Sequence, residues 1–87
     1  MRFITTYTVR AGQRDAAIAR FKQSHGAPPN GVTLIGRWHD VAGNRGWTLS
    51  EASDANAVAK WIMAWSDLLT FEISAVLDDE EFGKLIT

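Results

Sequence analysis

A double change of hydrophobic period across residues 45–77 constrains this chain more than any other feature. Arg45 to Ala52 is strand-like. Ala55, Val58, Ile62, Trp65 and Leu69 then recur at steps of three and four, the spacing of one stripe on an α-helix running from Ala55 to Asp67. From Leu68 to Leu77 the period returns to two, with Leu69, Phe71, Ile73, Ala75 and Leu77 alternating against Thr70, Glu72 and Ser74. A one-striped helix held between two strands has to cover a sheet. Trp61 stands beside the stripe, one turn from Trp65, and two indoles on one helix imply either a bulky core or an aromatic wall beside a cavity.

The remaining elements follow from the same reading. Arg2 to Val9 is rich in β-branched and aromatic residues, with Phe3, Thr5, Tyr7 and Val9 on one side, and reads as a first strand. Gly12 breaks it. Gln13 to Ser24 is a helix with a thin apolar face of Ala17, Ile18 and Phe21, and the run from His25 to Gly31, with Pro28 and Pro29, is the longest loop. Val32 to Val41 is the second strand, turning through Ala42, Gly43 and Asn44 into the third.

If Gly43 and Asn44 make a two-residue turn, Asp40 pairs with Trp47, Trp38 with Leu49 and Gly36 with Glu51, and this set is expected to face the helices. Thr33, Ile35, Arg37 and His39 then share the opposite face with Thr48, Ser50 and Ala52. Ser53 is the expected cap of the tryptophan helix, with Asp54 meeting its dipole, and Asp78 to Ile86 reads as a short, frayed acidic helix. The order strand, helix, strand, strand, helix, strand is the split βαβ arrangement of ferredoxin-like α+β domains: a four-stranded antiparallel sheet with two helices on one face. The open face, carrying Ile4, Ile35 and Val76, is most cheaply covered by a second copy, which predicts a homodimer.

Composition narrows the function classes. With 87 residues there is room for one domain spanning 1–87, burying about 60 to 65% of its unfolded surface. Nine Lys and Arg against ten Asp and Glu, with the arginines scattered among acids, provide no basic stripe, so nucleic acid is not an expected partner. No apolar run reaches the roughly 20 residues that span a bilayer, and no secretory leader pattern is present, so no membrane partner is expected and a cytoplasmic location is. Cysteine is absent, which excludes disulfides and thiolate chemistry. The two histidines, His25 and His39, have no metal-ligand spacing; no Gly-x-Ser-x-Gly elbow or phosphate-binding glycine pattern occurs, so neither a metal nor a cofactor is expected and no catalytic residue can be assigned. His25 reads as a solvated loop residue and His39 as a surface or interface residue on the open face.

Candidate ligand contacts are Tyr7, Trp38, Trp61 and Trp65, with Glu51 as an acid, base or orienting group opposite Gly36. Three functions fit: binding of a small apolar or aromatic molecule between sheet and helices, cofactor-independent oxygenase-like or isomerase-like chemistry, and a structural or regulatory dimerisation module.

The strand Phe3-Ile4-Thr5-Thr6-Tyr7-Thr8, the loop Pro28-Pro29-Asn30-Gly31-Val32, the hairpin Gly36-Arg37-Trp38-His39 with Gly43-Asn44-Arg45-Gly46, and Trp65-Ser66-Asp67-Leu68-Leu69-Thr70-Phe71-Glu72 followed by Val76-Leu77-Asp78 together resemble a bacterial family of small domains of unknown function. The resemblance covers nearly the whole chain. It implies a dimeric α+β barrel, similar in architecture to antibiotic-biosynthesis monooxygenases and stress-responsive barrel proteins, and brings no reaction or catalytic residue with it.

Overall fold

Phe3 decides which face of the sheet the helices cover. In the computed structural model, which describes residues 1–87, β1 (Arg2–Val9) is followed by α1 (Arg14–Ser24), β2 (Val32–His39), β3 (Arg45–Ala52), α2 (Ala55–Trp65), β4 (Leu69–Val76) and α3 (Asp79–Ile86). The strands form one antiparallel sheet in the order β2-β3-β1-β4, the ferredoxin-like arrangement. Phe3 pairs with Ser50 across β3 and with Ala75 across β4, while Thr5 pairs with Thr48 and Ile73. Directly opposed residues share a face, so Thr48, Ser50 and Ala52 lie on the helix side with Phe3.

This reverses the face expected for the β2–β3 hairpin. Trp38 pairs with Trp47, and the Asp40 N–H donates to the Arg45 carbonyl at 2.9 Å, so the turn is longer than the two residues read from the sequence. The Asp40 side chain selects it: one oxygen accepts from the Ala42 N–H at 3.0 Å and the other from Arg45 Nε at 3.2 Å. Gly43 supplies the left-handed residue, at φ +75°. Further along, a bulge between Leu34 and Gly36 switches the alternation of β2. Val32 and Leu34 therefore face the helices on one side of it, and Arg37 and His39 face them on the other. Trp38 and Glu51 lie on the outer face.

The helices end where side chains satisfy their free backbone groups. Asp54, rather than Ser53, caps α2, accepting the Asn56 N–H at 2.8 Å. Helix α1 closes on His25, whose left-handed backbone (φ 58°) sends its N–H to the Phe21 carbonyl. The first turn of α3 is capped: Asp78 and Glu81 form a reciprocal capping box, and Arg2 donates to Asp78 at 2.7 Å. None of the three helices is long and apolar enough to cross a membrane.

The core is divided. One cluster joins Phe3, Val32, Ala52 and Val58, with Trp61 and Ile62 against it; the other joins Ala17, Leu68 and Leu69, with Tyr7, Trp65 and Phe71 against it. Full burial of a residue such as Val58 stabilises the fold by about 1.5 to 3 kcal/mol. Between the clusters the helix-side face carries the small hydroxyl residues Thr5, Thr48 and Ser50, all buried. Small side chains there leave the helices standing off the sheet.

Candidate functional site: an aromatic cleft between the helices and the sheet

The stand-off creates a cleft of about 380 Å³. Thr5, Tyr7 and Thr48 form its floor, Ile18 and Phe21 of α1 one wall, Trp61, Ile62 and Trp65 of α2 another, and Phe71 the β4 side. Arg20 ties the two helices together, donating to Ala64 O at 3.1 Å and to both Asp67 oxygens at 2.8 Å while its guanidinium lies over the Trp65 ring. The Trp65 indole of the wall is thereby covered by a guanidinium that is itself fixed by Asp67.

The polar corner of the cleft is built by two cross-strand rows. In the first, Tyr7 pairs with Gly46 and Gly46 with His39. A β-carbon at Gly46 would overlap the Tyr7 ring and the Trp38 carbonyl, so the glycine is what lets the phenol lie across β3 and reach His39. Tyr7 Oη meets His39 Nδ1 at 2.5 Å, and the His39 ring meets Phe21 edge-on at 5.5 Å between centroids. Burial pushes the Tyr7 phenol above its ordinary range, more than the Arg37 charge lowers it. Partial burial, and then the Arg37 charge, hold His39 below its usual value, although the ring remains accessible from solvent. A neutral imidazole accepting at Nδ1 from a protonated phenol satisfies both shifts.

In the second row, Thr5 pairs with Thr48 and Thr48 with Arg37. The Arg37 guanidinium lies 4.9 Å over the Phe21 ring and donates to the Gly26 carbonyl at 2.9 Å and the His25 carbonyl at 2.8 Å. Burial lowers its proton affinity. The Thr48 hydroxyl is buried and has no protein partner.

Of the residues singled out from the sequence, Tyr7, Trp61 and Trp65 come together in this cleft. Trp38 and Glu51 do not. Trp38 is 59% exposed on the outer face, and Glu51 forms an ion pair there with Arg2 at 3.5 Å. Pairing of β3 with β1 rather than hairpin geometry alone sets their direction. Arg37, His39 and Thr48 are site residues that sequence reasoning misses, because it groups them on one face but turns that face away from the helices, and Phe21 is read only as part of the apolar face of α1. The run Gly46, Thr48, Ser50, Ala52 carries the clue: four small residues at period two leave a sheet face with room above it.

Chemically, the arrangement offers an apolar cleft, a phenol hydrogen-bonded to an imidazole, and a guanidinium beside them. Fold and cleft define the class: a ferredoxin-like α+β domain whose helices stand off the sheet over an aromatic cavity. The chain belongs to the family described as a domain of unknown function (DUF3303), whose model matches residues 1–87, in line with the resemblance drawn from its strands and hairpin. No curated protein and no solved structure matches it.

Proposed function

We propose that this protein binds a small apolar or aromatic molecule in the cleft between sheet and helices, and does so as a homodimer formed through the outer face of the sheet. The observation that carries the first part is the lining itself: ten of the 18 residues around the cleft are hydrophobic, and Tyr7, Phe21, Trp61, Trp65 and Phe71 offer ring faces and edges to a guest. Titration with neutral bicyclic aromatics should quench tryptophan emission and raise the melting temperature, and Trp65→Ala should abolish both responses. If no member of such a panel moves either signal up to its solubility limit, the binding reading fails.

The dimer rests on Ile4, Ile35 and Trp38, which are 45%, 50% and 59% exposed on or beside the outer face. Sedimentation at micromolar concentration should give a dimer and the Ile4→Glu variant a monomer. A monomeric parent protein would remove this part while leaving the cleft reading intact.

The Tyr7–His39 pair favours a second reading, a cofactor-independent isomerase-like or monooxygenase-like enzyme. Glu51 lies on the wrong face for that role, so the proton-handling groups would be Tyr7 and His39. Proton exchange or oxygen uptake with activated aromatic substrates should then disappear in both Tyr7→Phe and His39→Gln; turnover surviving both substitutions would discard it.

A further inference from the structure

Charge is segregated around the cleft in a way that the overall balance does not require. The chain carries ten acidic residues and a formal net charge of −1, yet no Asp or Glu lines the cleft, whereas Arg14, Lys22 and Arg37 do. Arg2, Arg20 and Arg45 each have a carboxylate within ion-pair distance. Arg37 is held instead by two neutral carbonyls, which fix its position without offsetting its charge. A guanidinium has five N–H donors, so donors remain after those two bonds.

Its cross-strand neighbour Thr48 adds an independent observation. The residue is 9% exposed, lines the cleft, and its hydroxyl has no partner within the protein. A buried hydroxyl left without a partner costs about 1 to 3 kcal/mol, and a rotation of the Thr48 side chain toward an acceptor seated in the cleft would recover that cost. Opposed side chains sit about 5 Å apart at Cβ, which places Arg37 and Thr48 along the same corner of the cleft.

We infer that the ligand is an amphipathic organic anion, such as an aromatic carboxylate, with its carboxylate against Arg37 and Thr48 and its apolar body between Trp61, Trp65 and Phe71. The inference rests on the binding reading above and narrows its ligand class. A bare inorganic anion would exchange its hydration for aromatic walls that offer it no hydrogen bonds, so the apolar body is a necessary part of the ligand. Arg14 and Lys22 add positive potential at the α1 side.

The test compares naphthoate with its neutral counterpart naphthamide on the full chain, by calorimetry and tryptophan quenching, at low and at physiological ionic strength. Naphthoate should bind about tenfold more tightly, with an affinity that weakens as salt is added while that of naphthamide does not. Lys22→Gln, at an exposed position of α1, should reduce the preference by about twofold. Arg37→Met should abolish it; because Arg37 also anchors the His25–Gly26 loop, the isosteric Thr48→Val provides a second variant, expected to cut naphthoate affinity about threefold in a folded protein. Equal binding of the two probes would overturn the anion inference and leave the apolar binding site standing. Binding of neither would overturn both. Displacement of naphthoate by inorganic phosphate would show a plain anion site and refute the amphipathic ligand.

Discussion

A methyl group is enough to disturb the polar corner of the cleft. At Gly46 the added carbon would meet the Tyr7 ring on one side and backbone on the other, so Gly46→Ala should cost about 1 to 3 kcal/mol in urea unfolding and break the Tyr7–His39 contact. A Gly46→Ala variant as stable as the parent would mean that Tyr7 does not lie across β3. Ser50 works in the opposite sense. Its hydroxyl is fully buried without a partner, and Ser50→Ala should stabilise the fold by about 1 kcal/mol in the same assay. His39 supplies a pH dependence. Its folded-state affinity for a proton lies below the ordinary value of 6.5, so the unfolded chain takes up the proton first, and stability present above pH 6.5 is lost as the pH falls toward the lower folded value. Unfolding midpoints measured between about pH 8 and pH 5 should show this slope in the parent and a flatter one in His39→Gln. Asp40 and Asp78, held low first by hydrogen bonds from backbone N–H groups, and Asp67, held low first by Arg20, contribute stability that is present above their ordinary 3.8 and lost as the pH falls further, at the acid side of the His39 effect.

Single elements carry different information. The β2 bulge is one residue of extra chain, yet it lets the same strand present Val32 and Leu34 to the core and Arg37 and His39 to the cleft. Deletion of Ile35 should restore strict alternation, turn one of those pairs outward and lower stability by about 2 to 4 kcal/mol. A deletion variant with an unchanged urea midpoint would mean that the bulge does not set the direction of these side chains. The bulge also explains where sequence reading stops. Alternation in β1, β3 and β4 and the stripe on α2 follow from burial, which leaves a local periodic trace, so those elements and the tryptophan wall are legible. The direction of β3 depends on its pairing with β1, a strand distant in sequence, and the turn depends on the Asp40 side chain; neither leaves a periodic trace. Helix α3 is a separate case. It buries no residue and is tied down by its capping box and by Arg2, so Asp78→Ala should speed amide exchange in α3 by the equivalent of about 1 kcal/mol and leave the central strands unaffected. Parallel acceleration in β1 would show that α3 is part of the core.

At the scale of the molecule, the two faces of the sheet present different surfaces. The outer face carries Trp38 opposite Trp47, with Arg45 lying 5.3 Å over the Trp47 ring. If a second copy covers it, Trp38 emission should shift to the blue as concentration rises through the dimer dissociation constant, and the shift should vanish in Ile4→Glu. The inner face is where the division of the core matters most. Two hydrophobic clusters separated by a row of hydroxyls amount to a folded chain with its middle left unfilled. A molecule seated there is then a late-arriving part of the core, and at about 100 times its dissociation constant it would add roughly 2.7 kcal/mol to the native state. Resistance to proteolysis would rise with occupancy, so the lifetime of the protein in a cell would itself report how much ligand the cell contains.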